Sequence, residues 1–570
     1  MSKISKFESL SAERKHMQAI GEMPEWFTTQ GYSMFLKNYQ YKGETVRGAF
    51  RRVASTLAKH DIRPEAEERY FDLLWSGKLA MATPVFCNTG TDRGMPVSCA
   101  GSYVGDSVLD FYEGQTEVAM LAKNGFGTAS YLGDIRPRGS DISTSHNKAD
   151  GLVPVFDNFV NTKTKVAAAG RRGEWAGYVD FSHGDFWELQ GYVLKNPASA
   201  HVGWVFEKED YEKLLARDPE YMARWNELLY MRARTGKGYM WKNWIANDLA
   251  PQAIKNSGIR IRSSQLCTEI ALPSDDMHTF TCILSSLNLA RWDEISAEDI
   301  KWAVRFLDSV CSEFLEKAKK LPYDTLHKAI RFTEKARALG LGTLGFHTYL
   351  QMNDTAFESG AAHILNNSIY SQIKVYAEAA SRELAEEHGE PEWCVGTGMR
   401  NATLITIAPN MSSALLAGGV SQGVEPLVCN SFIQQSNAGD FVRSNPVLAK
   451  VLSDRLSDKE IKDLMENIAT YHNGSVQHLD ILTDHEKMVF KTAYEIDQHA
   501  IIRLASARQR HIDQAQSINL FFAADEKESV VASVHRAFMD DPRLKSLYYL
   551  RSERGVKAST GESTCLACEG

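Results

Sequence analysis

Apolar residues recur at helical spacing early in the chain, at Phe50, Val53 and Leu57 and again at Tyr70, Leu73 and Leu74, so residues 1–79 read as a lobe of short packed helices. From Ala80 the rhythm changes. Short β-prone runs at 201–206, 403–407 (TLITI) and 517–522 (SINLFF) alternate with helical stretches. The longest of these runs through Leu365, Ile369, Ile373, Tyr376 and Leu384 and closes at Gly389 before Pro391. Such alternation predicts an α/β body over residues 80–551. The stretch SERGVKASTGESTCLACEG is polar, with no periodic apolar face, so residues 552–570 read as a mobile tail.

Composition narrows the classes. Of 570 residues, 44% are hydrophobic and 24% charged, which excludes disordered and fibrous chains. A net charge of −8 disfavours broad electrostatic binding to nucleic acid or to an anionic membrane. The charged N-terminus has no signal-peptide core, and no apolar run approaches the ~18 residues of a membrane helix, so a cytoplasmic setting is expected. Nine cysteines are too sparse for a disulfide scaffold and odd in number, which suits reduced thiols with chemical roles.

Gly340, Gly342 and Gly345 spell G-x-G-x-x-G, but the preceding LHKAIRFTEKARAL is helix-like and not a strand. The glycines are therefore read as sites of tight backbone packing and not as a dinucleotide fingerprint. In SSQLCTEIALP, Cys267 stands two residues before Glu269. If that segment is extended, thiol and carboxylate face one pocket, a pairing suited to hydrogen and proton transfer. Cys565 and Cys568 form a C-x-x-C in the tail with no second cluster to complete a zinc site, so thiol–disulfide exchange is the expected role and no metal is expected.

These segments, together with MPVSCAGSYVGDS, TCILSSLNLARW and LKSLYYLRS, resemble the large, catalytic subunit of class I ribonucleotide reductase, and the resemblance spans nearly the whole chain. It implies a ten-stranded α/β barrel of two parallel five-stranded halves behind the helical lobe, with the Cys267 loop threaded inside. It implies reduction of ribonucleoside diphosphates to deoxyribonucleoside diphosphates. Cys267 takes the thiyl-radical position, Glu269 the general base, and Cys99 and Cys282 the reducing pair. Tyr548 and Tyr549 match the tyrosines that relay an electron hole from a separate small subunit, which carries the metal and radical cofactor. Cys565 and Cys568 match the shuttle thiols served by thioredoxin or glutaredoxin.

Less specific matches assign substrate contacts to Thr83, Ser98, Ser412 and Ser413, the last two in a phosphate cradle at a helix start. A deoxynucleotide or ATP effector at the interface of a homodimer would meet Asp106, Arg136 and Ile142, with Arg172 in the loop coupling effector to substrate. Two departures stand out. Gln265 occupies the usual asparagine position, one methylene longer, so a substrate hydrogen bond is kept by a backbone shift or lost at ~1–3 kcal/mol. Cys99 lies early, so an activity-controlling ATP cone is not expected while specificity control is. The competing readings are an adenosylcobalamin-dependent reductase, in which Tyr548 would be dispensable, and an inactive nucleotide-binding regulator, which has no need of the thiols and tyrosines.

Overall fold

Thr45 caps the helix Val46–Ala58 by accepting the Gly48 N–H, and that helix buries Phe50, Val53, Ala54 and Leu57 against Tyr70, Phe71, Leu73 and Leu74 of the helix Ala66–Trp75. The computed structural model describes residues 3–168, 171–172, 174–436 and 439–552. A buried ion cluster ties this helical lobe to the body. The Arg305 guanidinium donates to Asp61 (2.6 and 3.0 Å) and Glu387 (2.6 Å), and Arg63 also reaches Glu387. Removing one member of such a cluster strands the others and costs ~3–5 kcal/mol. Among the described residues no helix is long and apolar enough to cross a membrane.

The body is a curled sheet. Its strands are β1 (Leu79–Met81), β2 (Cys99–Tyr103), β3 (Gly127–Tyr131), β4 (Trp175–Asp180), β5 (Val202–Phe206), β6 (Tyr239–Lys242), β7 (Phe280–Asn288), β8 (Leu339–Leu344), β9 (Leu520–Phe522), β10 (Ser546–Leu547) and β11 (Leu550–Ser552). From β2 to β6 each strand pairs in parallel with the next, forming a regular five-stranded half with buried strands, as parallel sheets require. At one seam β2 meets β7 antiparallel, and β8 continues from β7 in parallel.

The second half departs from the expected five regular strands. Residues 403–407 make only isolated bridges, Leu341 to Ile405 and Ile407 to Gln516. The reason is local. The Leu404 and Ile405 N–H groups donate to the Asp513 carboxylate, both at 2.7 Å, so they are withdrawn from a ladder. The run at 517–522 is regular only as β9, which pairs in parallel with β11, and β10 pairs antiparallel with β6. Sequence periodicity marked these segments as extended, and a side-chain carboxylate took the place of strand partners.

The glycine triplet lies in and just after β8, and packing accounts for it. A Cβ on Gly340 would stand 2.4 Å from Leu284 and 3.1 Å from the Cys282 sulfur, and one on Gly342 would stand 2.8 Å from the Thr406 carbonyl. The long helix Gly360–His388 is capped by Ser359 and ends at Gly389 with φ 80°.

Candidate active site

The finger loop enters the barrel without regular structure and is pinned from several sides. Tyr178 on β4 donates to the Gln265 carbonyl (2.6 Å), Ala515 N–H donates to the Glu269 carbonyl (2.9 Å), and the Ala271 N–H reaches the Gln514 side chain (3.1 Å). The Ser264 hydroxyl donates to the Ile270 carbonyl and accepts from the Ile270 N–H, stapling the loop on itself. Cys267 and Glu269 are not on an extended strand. Thr268 between them is buried at φ +69°, a left-handed conformation rare for a β-branched residue, and the chain turns there. The two groups meet through a third residue: the Ser517 hydroxyl lies 2.5 Å from the Cys267 carbonyl and 3.0 Å from a Glu269 oxygen.

Burial dominates the electrostatics. It pushes the Glu269 carboxyl up to about 7, opposed by hydrogen bonds from its own backbone, Gln265 and Ser517. A carboxyl so poised exchanges protons near neutral pH. Burial also drives the Cys282 thiol well above its ordinary range, which favours the protonated thiol over the thiolate.

Cys99 and Cys282 are direct partners across the β2–β7 seam. Opposed antiparallel residues have Cα atoms ~4.5–5.5 Å apart, within the span a disulfide bridges. Each thiol receives a glutamine amide, Gln265 on Cys99 and Gln514 on Cys282, both at 3.4 Å. The Gln265 carbonyl oxygen accepts the Cys267 N–H (2.9 Å), so one side chain touches both the loop cysteine and the pair.

On another side of Cys267, the Tyr548 hydroxyl donates to its sulfur at 3.6 Å. The Tyr548 and Tyr549 rings follow at 4.1 Å between centroids. Tyr548 is fully buried and Tyr549 is half-buried. The row runs thiol, buried tyrosine, outer tyrosine.

The remaining candidates divide. Ser98 and Ser412 are buried with hydroxyls that have no protein partner, which is what polar groups awaiting a ligand look like. Thr83 bonds Tyr39 (2.8 Å), and the Ser413 hydroxyl donates to the Met81 carbonyl (3.0 Å), so these two are engaged in holding β1 and its neighbours. Asp106 and Arg136 form an ion pair at 2.6 Å, and the Ile142 N–H donates to Asn147 in the adjoining turn. This group is separate from the thiols. Arg172 lies on a two-residue strand paired with residues 167–168. Its side chain, and Cys565 and Cys568 entirely, lie outside the described residues.

Sequence reading missed Tyr178, Tyr239, His201, Gln514 and Ser517. Their contacts are all distant in sequence, and only His201 and Ser517 opened runs read as extended. Among the described residues His60, Glu313 and Glu316 could group around a cation, but Glu313 accepts the Gly90 N–H and Lys320 pairs with Glu316, so the cluster reads as an interlobe salt link.

Comparison with known proteins bears on this arrangement. A family model described as "Ribonucleotide reductase, barrel domain" matches residues 97–192, 194–394 and 392–550, and one described as "Ribonucleotide reductase, all-alpha domain" matches residues 25–94. The putative ribonucleoside-diphosphate reductase large subunit of Frog virus 3 (isolate Goorha) is 33% identical, with 89% of this chain and 93% of the relative covered. The ribonucleoside-diphosphate reductase large subunit of Invertebrate iridescent virus 3 is 30% identical, covering 90% and 93%. A solved structure, the Actinobacillus ureae class Id ribonucleotide reductase alpha subunit, superimposes with a TM-score of 0.85 at 36% identity, covering 93% of this chain and 97% of that one.

Proposed function

The chain belongs to the ribonucleotide reductase large-subunit family, and from that premise we propose how its residues divide the reduction of a ribonucleoside diphosphate. Cys267, as a thiyl radical, removes the 3′ hydrogen of the ribose. Glu269 accepts the 3′-hydroxyl proton while the 2′-hydroxyl leaves as water, protonated by a thiol of the Cys99–Cys282 pair. That pair gives its second hydrogen to the 2′ carbon, supplies two electrons in all and becomes a disulfide, while Glu269 returns its proton to the 3′ oxygen. Cys267 then returns the hydrogen to the 3′ carbon and is again a thiyl radical. The single observation that carries this reading is the contact of Tyr548 with the Cys267 sulfur, on a loop that also meets Cys99 through Gln265 and Ser517 through Glu269.

A class I large subunit works with a separate radical-generating small subunit, and the tyrosine row gives the hole a path inward. We assign Tyr549 to the outer position and Tyr548 to the inner one. A cobalamin-activated enzyme has no use for such a row. The orphaned hydroxyls of Ser98 and Ser412 are assigned to the substrate, with Thr83 and Ser413 in their support. Cys565 and Cys568 are assigned to re-reduce the pair, with thioredoxin or glutaredoxin as the donor.

A homodimer is supported by the helix Val108–Lys123, which exposes Val108, Leu109 and Tyr112 beside Asp106. A deoxynucleotide or ATP bound there would break the Arg136–Asp106 pair and free the guanidinium for phosphate, with Ile142 and Arg172 in the adjoining loops. No metal or organic cofactor is assigned to this chain. The test is CDP reduction by the chain with a competent small subunit, effector and dithiol reductant. Wild-type protein should form dCDP and Cys267→Ala none; turnover by Cys267→Ala would overturn the assignment.

A further inference from the structure

Tyr239 on β6 packs against both relay tyrosines, its ring centroid 4.9 Å from Tyr548 and 5.4 Å from Tyr549. Its hydroxyl lies 3.0 Å from the Tyr549 hydroxyl and 2.9 Å from Nδ1 of His201. Tyr239 and His201 are buried. On the far side of the imidazole, Nε2 stands 3.5 Å from Glu174 and 3.3 Å from the Lys237 ammonium, and Lys163 pairs with Glu174. An unbroken hydrogen-bonded row therefore runs from Tyr549 through Tyr239 to a buried imidazole, away from Cys267.

The relay needs such a row at its outer step. At the inner step the hydrogen has a direct partner, because the Tyr548 oxygen and the Cys267 sulfur touch. Tyr549 has no thiol. When it gives up an electron its phenol becomes a very strong acid, so its proton leaves for the nearest acceptor as the electron goes. We propose that Tyr239 and His201 form the proton-accepting branch of the relay at Tyr549, an inference that rests on the relay role given above.

One electron passes from Tyr549 to the oxidised residue of the small subunit. The Tyr549 O–H bond breaks as its proton moves to the Tyr239 oxygen; the Tyr239 O–H bond breaks as its own proton moves to Nδ1 of His201, whose resident ring hydrogen sits on Nε2 toward Glu174. Hydroxyl hydrogens rotate, so the row can run in this direction. The products are a neutral Tyr549 radical, an intact Tyr239 and an imidazolium facing Glu174. The return of the hole reverses each transfer.

The surroundings suit a reversible acceptor. Burial, then Lys237 and Lys163, hold His201 well below its ordinary pKa, so it is neutral and able to accept before each transfer. The same bias returns the proton once Tyr549 regains its electron. An oxidised phenol is acidic enough to protonate even this imidazole.

The test uses the holoenzyme with CDP, effector and reductant, and includes Tyr548→Phe. Turnover by Tyr548→Phe would overturn both the relay reading and this branch. With Tyr548→Phe inactive, Tyr239→Phe, which keeps the ring, should lower turnover about 10²-fold with the KM for CDP within about twofold, and His201→Asn should behave alike. The decisive readout is spectroscopic. With 3-aminotyrosine at position 549 and the enzyme in deuterated buffer, the trapped radical should couple to an exchangeable deuteron that Tyr239→Phe removes. Full turnover by Tyr239→Phe, or a trapped radical without that coupling when residue 239 is tyrosine, would overturn the proposal; the second measurement stands even if Tyr239→Phe fails to fold.

Discussion

The two halves of the barrel are built differently, and the difference locates the chemistry. From β2 to β6 every neighbour is a regular parallel strand, and the polar groups there mostly hold one another: the Tyr131 hydroxyl bonds Asp180, and Ser102 bonds Ser130. In the second half the ladder is interrupted at 403–407 and again before β9; Asp513 holds the Leu404 and Ile405 N–H groups, and Gln514 and Ser517 hold the finger loop at Ala271 and Cys267. Those interruptions are where the finger loop docks. A closed ladder has no free backbone groups to offer a loop inside it; an interrupted one does. The regular half supplies the frame and two contacts to the loop, Tyr178 and Cys99 on Gln265, and the irregular half supplies the contacts to Cys267 and Glu269 themselves.

The sharpest way to break that comparison is a matched pair of Tyr→Phe substitutions. Tyr548→Phe removes one hydroxyl from the irregular half and should abolish CDP reduction, because the Cys267 sulfur loses its hydrogen partner. Tyr131→Phe removes a buried hydroxyl from the regular half and should leave turnover within about twofold, costing only the ~1 kcal/mol of a typical hydrogen bond. Equal losses would mean that the halves are not functionally distinct.

Stability should divide in the same sense. Asp513→Ala leaves the Leu404 and Ile405 N–H groups without their acceptor, at ~1–3 kcal/mol each, whereas Asp180→Ala strands one tyrosine hydroxyl. Asp513→Ala should therefore melt lower than Asp180→Ala, with faster hydrogen exchange confined to the segment at 403–407. Identical melting with unchanged exchange would show that the carboxylate does not hold the interrupted strand.

Next comes the pH profile of the base. In the role proposed for it Glu269 has to be ionised to accept the 3′-hydroxyl proton, and burial holds its carboxyl at about 7, so turnover should fall tenfold per unit as pH drops below that value. The Ser517 hydroxyl bonds the carboxylate and draws its pKa down. Ser517→Ala should move the acidic limb to higher pH and lower turnover at pH 7 several-fold, by the ~1 kcal/mol of one hydrogen bond. An acidic limb that stays in place would remove Ser517 from the base's environment.

What the sequence made legible follows the same division. The helical rhythm at Phe50, Val53 and Leu57 and the long helix ending at Gly389 were readable because each buries one face at a regular spacing. TLITI read as a strand because periodicity reports which side chains are buried, not which acceptor takes the N–H groups, and Asp513 lies far along the chain. Cys267 and Glu269 were legible as a pair from their spacing, but the turn at Thr268 was not, since nothing in CTE requires a left-handed threonine. What Tyr239 and His201 do was invisible because it lies in a row of contacts, Tyr239 with Tyr549 310 positions away and His201 with Tyr239 38 positions away.

The smallest expected effect concerns the position where this chain departs from the family's asparagine. Gln265 is fully buried and uses both ends of its amide: the oxygen accepts the Cys267 N–H, and the nitrogen reaches the Cys99 sulfur and also bonds Glu269. The first contact spans two residues, a reach that asparagine also makes in an Asx-turn. The second crosses to β2 and uses the additional methylene. Gln265→Asn should therefore keep the loop, leave the Cys99 thiol without its amide, and lower turnover about fivefold, the equivalent of ~1 kcal/mol. If the lost contact with Cys99 is the cause, the deficit should appear in the step that oxidises the Cys99–Cys282 pair, while radical trapping at position 548 or 549 proceeds at the wild-type rate. A deficit in trapping instead would tie Gln265 to the Cys267 side of the loop, and the additional methylene would then serve the radical and not the dithiol.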